Sequence, residues 1–279
     1  MLKHWSIRNK RLSLKSPLIM GILNVTNDSF SDGGRFKNSN EAVEGAIQLV
    51  NNGADIIDIG GESTRPGSKS ISVDEEMNRV LPVVEKLVQR TDIPISIDTQ
   101  KSEVAKEAIR LGAHIINDVS SGLHDSHMFD IIAHTGVGYI MMHMQGRPES
   151  MQENPAYSAL ISDINNYFAR RIQTAKECGI HEKQIVIDPG IGFGKSLDDN
   201  ILLLNNLQQF GDYPVVIGTS RKSFINMIHE SPTGKRIGGS IASNIYAMNH
   251  GANILRVHDV FEMKQAIEVW QILNNIGEN

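Results

Sequence analysis

Eight short apolar runs recur along the 279-residue chain: PLIMGILNV, ADIIDIGG, IPISID, HIINDV, VGYIMMH, QIVIDPG, YPVVIG and NILRVH. Each has the length and the Ile/Val content of a strand buried on both faces. Stretches with helical apolar spacing separate them. Over 73–90, Val73, Met77, Val80, Leu81, Val84, Leu87 and Val88 fall on one stripe. Over 158–178, Leu160, Ile161, Ile164, Phe168, Ile172 and Ala175 do the same. Gly53, Gly112, Gly179 and Gly251, each followed by an apolar residue, are placed as left-handed stops at helix C-termini. Strand–helix alternation requires a parallel sheet. Eight such units in roughly 260 residues favour an α/β fold of the closed (β/α)8 TIM-barrel type. An open doubly wound sheet is the alternative. No Ser/Pro-rich linker interrupts the pattern, so residues 1–279 are read as a single domain. Residues 1–16 precede the first unit as a short N-terminal extension, a hairpin or plug over the barrel bottom.

Net charge is −5 and the basic residues form no run. That argues against nucleic acid or an anionic membrane as partner. A small anionic substrate would need a local basic pocket. The lone cysteine, Cys178, excludes an intramolecular disulfide and suits a reducing cytosol. It is read as packed rather than reactive. The N-terminus is basic, but the apolar run after it is short and ends at Asn24. It fits neither a signal peptide nor a membrane span. A cytoplasmic protein is expected.

The polar residues are unevenly placed. Successive strands end at Asn24, at Asp58 with Gly60–Gly67 beyond, at Asp98, at Asn117 and Asp118, at His143, at Asp188, at Gly218–Lys222, and at Arg256 with His258 after it. In a barrel these ends converge on one mouth, where barrel enzymes keep their sites. Helix capping would account for Asp118, and for Asp98 beside Thr99 and Ser102, but not for Asp98, Asn117 and Asp188 together. The loops after strands 7 and 8 are the usual phosphate position, and here they carry Ser220-Arg221-Lys222-Ser223 and Arg256. The segments GIGFGKS and TGKRIGGS are not nucleotide loops: Pro189 and His229 stand where the spacing needs glycine. His124 and His127 lie in a polar loop and are read as solvated. His143 is left open between core and mouth.

LNVTNDSFSDGG, GGESTRPG, SIDTQK, INDVSSG, MMHMQGRP with MQENPAY, IDPGIGFGK, GTSRKSFI and ILRVHDV follow one another in this order. Together they closely resemble the dihydropteroate synthases, from about Leu18 to Val260. The resemblance implies a transferase of folate biosynthesis, the target of sulfonamides. It joins 4-aminobenzoate to 6-hydroxymethyl-7,8-dihydropterin diphosphate and releases pyrophosphate, with Mg²⁺ assisting. It implies a pterin site of Asp98, Asn117, Met142, Asp188, Phe193, Gly218 and Lys222. Asn24, Thr64, Arg65, Arg256 and His258 are implied to hold the diphosphate. Phe30, Thr64, Arg65, Pro66 and Ser223 are implied to line the 4-aminobenzoate pocket. Asn24 would contact the metal; Asp98, Lys222 and Asn24 would carry the chemistry, a dissociative displacement. A homodimer through outer helices is likewise implied. The stretch LNVTNDSFSDGG is implied to form a lid over the reacting centre.

The chain departs from the family at Asn27, where proline is common, and this bears on lid order and sulfonamide response. Two other readings stand beside this one. A pterin-binding methyltransferase would share the pterin-edge residues but have no need of the Ser220–Ser223 group. A non-catalytic pterin-binding paralogue could keep Asp188 and Asn117 while losing the anion group.

Overall fold

The computed structural model describes residues 3–26, 38–63, 67–146, 150–151 and 155–275. Its strands are β1 (His4–Ile7), β2 (Lys10–Ser13), β3 (Leu18–Asn24), β4 (Ile56–Gly60), β5 (Ile95–Asp98), β6 (Ile115–Asp118), β7 (Gly138–Met142), β8 (Ile185–Asp188), β9 (Val216–Ile217) and β10 (Ile254–Val257). The described helices are α1 (Ser39–Asn51), α2 (Val73–Leu87), α3 (Ser102–Leu111), α4 (Met128–Thr135), α5 (Leu160–Glu177), α6 (Leu197–Asn205), α7 (Ser223–Ile228), α8 (Ile237–Asn249) and α9 (Val260–Asn275).

Eight strands, β3 to β10, form one parallel sheet in the order β8-β7-β6-β5-β4-β3-β10-β9. A parallel bridge between Ile187 and Val215 joins β8 to the approach to β9, with Ile187 N–H donating to Pro214 O at 2.9 Å. The ends of the sheet therefore meet, and the expected barrel is closed. Local sequence explains the helices around it. Asn38 Oδ1 accepts from the N–H groups of Asn40 and Glu41 at the start of α1, and Ser196 and Asp199 form a reciprocal capping box on α6. The four glycines read as stops all carry positive φ, between 96° and 121°.

Strand alternation sorts side chains into two cores. Outward-facing residues such as Ile57, Ile59, Ile97 and Met141 pack with Val80, Val84 and Leu87 of α2 and with Ile164, Phe168 and Ile172 of α5. The inner set begins with Met20, Ile56, Ile115, Ile140, Val186, Val216 and Ile254, which fill the barrel floor. Beneath them lies the N-terminal extension, an antiparallel β1–β2 hairpin. Its Trp5 and Ile7 are fully buried in that floor cluster, and Trp5 Nε1 donates to Gln184 O at 2.7 Å. Gly138 makes room for them: a Cβ there would lie 2.5 Å from Ile7 Cγ2 and 2.9 Å from Trp5 Cζ2.

Two expectations change. Cys178, at the C-cap of α5, is exposed rather than packed. The buried stripe of α5 runs through Phe168, Ile172 and Ala175, and Cys178 lies past its end. Asp118 is a structural residue as expected, but it caps no helix. Its oxygens accept from Ser120 N, Ser120 Oγ, Gly122 N and Tyr139 Oη, which organises the turn after β6.

Candidate active site

Two residues further along each strand, the inward positions turn polar. Met20 and Ile22 lead to Asn24; Ile56 leads to Asp58 and Gly60; Ser96 leads to Asp98; Ile115 leads to Asn117; Val186 leads to Asp188; Ile254 leads to Arg256. The same period places Met142 above Ile140; it is buried yet belongs to neither apolar core. A change from apolar floor to polar rim within two residues is what makes one end of this barrel able to hold a polar ligand.

Arg256 organises the rim. Its Nε donates to Asp58 Oδ2 at 2.6 Å and its Nη2 to Asp98 Oδ2 at 2.8 Å. Asn117 Nδ2 donates to the same Asp58 oxygen at 3.1 Å. Burial opposes the charge on the guanidinium, but the two carboxylates outweigh it and hold it charged; among the described residues Nη1 makes no hydrogen bond. Burial pushes the Asp98 carboxyl up to about 7, with Asp58 adding to the rise and Arg256 opposing it. Asn24 completes this group. A Cβ built on Gly60 would lie 3.7 Å from Asn24 Oδ1 and 3.8 Å from Asp98 Oδ2, so both oxygens flank one spot.

Across the mouth, Asp188 Oδ1 accepts from Gly190 N–H at 2.7 Å, while Oδ2 has no hydrogen-bond donor among the described residues. Burial raises the Asp188 carboxyl, and Lys222 and Arg256 pull it back. Lys222 Nζ donates to Ile191 O and stands 4.3 Å from the centre of the Phe193 ring. Burial lowers its ammonium to about 8, with Asp188 and Asp98 resisting and Arg256 assisting. Gly218 lies beside Arg256: a Cβ there would come within 3.8 Å of Arg256 Cβ. His258 is reached through Ser220, whose Oγ lies 3.0 Å from its Nδ1.

Asn24, Asp98, Asn117, Asp188, Phe193, Gly218, Lys222, Arg256 and Met142 are thus set on the barrel's inner face or its rim. Ser223 is exposed at the first position of α7, next to Lys222. Phe30, Thr64, Arg65 and Pro66, like Asn27, lie outside the described residues. His143 is buried, with its ring 4.9 Å from that of Tyr167, edge to face. His124 and His127 are exposed.

Two residues without an assigned role prove central. Asp58 is fully buried and holds Arg256 and Asn117 at once. A carboxylate inside the run ADIIDIGG, in step with Gly60, was its signal. Lys195 is almost completely buried behind the Asp188 loop, with Nζ 3.0 Å from His143 Nδ1. Its position in a false nucleotide-loop pattern hid it.

A family described as "Pterin binding enzyme" matches residues 20–258. Dihydropteroate synthase of Escherichia coli (strain K12) is 45% identical over 270 residues, covering 96% of this chain and 95% of that protein. A Yersinia pestis dihydropteroate synthase, solved with a sulfonamide drug complex, superposes with a TM-score of 0.93 at 43% identity, over 98% of this chain and 99% of that one. The Xanthomonas albilineans enzyme in complex with 7,8-dihydropteroate gives a TM-score of 0.87 at 38% identity, over 97% and 98%. A rim that pairs carboxylates with cations inside a closed barrel, and likeness of this extent to such enzymes, lead to one conclusion: the chain belongs to the dihydropteroate synthase family of pterin-binding enzymes.

Proposed function

We propose that this rim condenses 6-hydroxymethyl-7,8-dihydropterin diphosphate with 4-aminobenzoate to give 7,8-dihydropteroate and pyrophosphate. The observation that carries the reading is the placing of Arg256 between Asp58 and Asp98, with Asp188 and Lys222 opposite. A pterin's 2-amino-4-oxo edge presents adjacent N–H donors. Asp188, with Oδ2 open, accepts from them as an ionised carboxylate does in strong paired hydrogen bonds. Asn117 and Asp98 serve the rest of the ring system. Lys222 donates to its acceptor atoms, and Phe193 and Met142 cover its faces.

The diphosphate takes the remaining donors of Arg256, with His258 and Asn24 beside it. As the carbon–oxygen bond breaks, its electron pair leaves with the diphosphate. Arg256 stabilises the anion. The methylene carbon becomes cationic, the ring spreads that charge, and the Asp98 carboxylate faces it. The arylamine nitrogen then forms the new bond and gives up its proton. Phe30, Thr64, Arg65, Pro66 and Ser223 are the proposed arylamine pocket.

Mg²⁺ fits this donor set. Asp58, Asp98 and Asp188 already face Arg256 and Lys222, with Lys195 behind Asp188, so the negative charge that a diphosphate brings would be balanced by a further cation. Asn24 Oδ1 offers the hard oxygen that Mg²⁺ favours, and the ion commonly takes few protein ligands besides substrate phosphates. Bound there, it would neutralise charge growing on the leaving group.

A homodimer is proposed through the outer helices, on which Met227, Ile228, Phe261, Ile272 and Leu273 are exposed. A cytoplasmic setting suits the lone cysteine and the dihydropterin substrate. Among the described residues no helix is long and apolar enough to cross a membrane. The test of function is pyrophosphate release on mixing both substrates with Mg²⁺. Release that requires both substrates and falls on chelation with EDTA supports the reading. Absence of release, or release that ignores 4-aminobenzoate, contradicts it.

A further inference from the structure

The loop after β8 carries Asp188 at its start and Phe193 near its end. Asn200 Oδ1 accepts from Gly192 N–H at 2.6 Å, and Tyr157 Oη donates to Gly194 O at 2.7 Å. Just past these clamps Lys195 turns back under the loop. Its Nζ lies 3.0 Å from His143 Nδ1, 3.0 Å from Phe193 O and 3.4 Å from His143 O. Three acceptors surround one nitrogen, matching the three N–H bonds of an ammonium; burial lowers that ammonium to about 7, with Asp188 resisting and Lys222 assisting. Burial, aided by the charge of Lys195, pushes the His143 ring down to about 3, so the ring is neutral; the Lys195 Nζ at its Nδ1 suits the tautomer in which Nδ1 accepts. Gly190 closes the arrangement: a Cβ there would collide with His143 O and lie 3.4 Å from Lys195 Nζ. The cation also acts on Asp188, whose carboxyl it helps to hold down. Nothing in the reaction itself uses Lys195.

We propose that Lys195, seated on His143, is a positioning residue for pterin recognition: from behind Asp188 it ties the Asp188–Phe193 loop to the end of β7. The inference rests on the reading of Asp188 as the pterin-edge acceptor. Without Lys195, Phe193 O and His143 Nδ1 lose their shared donor and the Phe193 wall loosens. The arylamine pocket is built from other loops and should not register the change.

The test is calorimetric titration of 6-hydroxymethylpterin, with KM for each substrate and kcat measured alongside. Lys195→Met should weaken pterin binding at least tenfold and raise KM for the dihydropterin diphosphate. KM for 4-aminobenzoate should stay within twofold. His143→Gln, which keeps an acceptor, should retain pterin affinity to within threefold, whereas His143→Phe should lose it as Lys195→Met does. Trp5→Phe, in the barrel floor, serves as a stability control: it should lower the melting temperature and leave pterin affinity unchanged. Asp188→Asn separates the two ideas. If it binds pterin like the parent, the pterin-edge reading fails. If it loses pterin while Lys195→Met stays within twofold of the parent, the positioning role fails. Equal losses in His143→Gln and His143→Phe, or a matching loss in Trp5→Phe, would also overturn it.

Discussion

Arg256 Nε lies 2.6 Å from Asp58 Oδ2 while its Nη2 lies 2.8 Å from Asp98 Oδ2, so a single guanidinium spans two buried carboxylates from neighbouring strands. Pairing fixes the direction of its remaining N–H bonds, and Asn117 is fixed by the same Asp58 oxygen. On the proposed function, recognition of the leaving group and of the pterin would therefore share one anchor.

Asp58→Asn keeps the shape of that anchor and removes its charge. Pyrophosphate affinity should fall about tenfold, equivalent to about 1.4 kcal/mol. KM for the dihydropterin diphosphate should rise in step, with KM for 4-aminobenzoate unchanged. Steady-state kinetics with each substrate varied in turn will show it.

Asp98→Asn addresses the carboxylate that the proposed mechanism sets against the reacting carbon. Removing one group that stabilises a transition state lowers kcat by about 10²–10³. Ground-state pterin binding should change far less, since Asp188 and Lys222 remain. Single-turnover measurements against binding titrations separate the two effects. A loss confined to binding would assign Asp98 to recognition alone.

Lys222 gives a pH signature. Its ammonium is lowered to about 8, chiefly by burial. The charged form is lost as pH rises through that value, so pterin affinity should weaken above pH 8. In Lys222→Met the component of that loss centred near pH 8 should be missing. Titrations of 6-hydroxymethylpterin across that range check both statements.

Trp5→Ala tests the barrel floor. Removing a fully buried tryptophan costs about 3–5 kcal/mol and should lower the melting temperature by several degrees. The rim stands a layer above, so kcat at temperatures well below melting should remain near the parent value.

The barrel was legible because its strands are written as separated Ile/Val runs and its helices as stripes, both set by local periodicity. The rim was legible because alternation carries a strand's last inward residue to the mouth, which located Asp98, Asn117, Asp188 and Arg256. What escaped was the identity of partners. Nothing along the chain says that Asp58 pairs with Arg256, 198 positions away, or that Lys195 finds His143 across 52. Those contacts follow from closing the sheet, where register decides which neighbours face one another. Cys178 was misplaced for the opposite reason: residues at a helix end leave the buried stripe within a turn.

On the proposed function, one rim holds both the heterocycle and its departing anion. Calorimetric titration of the dihydropterin diphosphate, 6-hydroxymethylpterin and pyrophosphate into the parent, Asp188→Asn and Arg256→Gln tests it most directly. Asp188→Asn should lose the pterin, Arg256→Gln should lose pyrophosphate, and both should bind the linked substrate at least tenfold more weakly. If either variant bound the linked substrate as tightly as the parent, the shared rim would be contradicted.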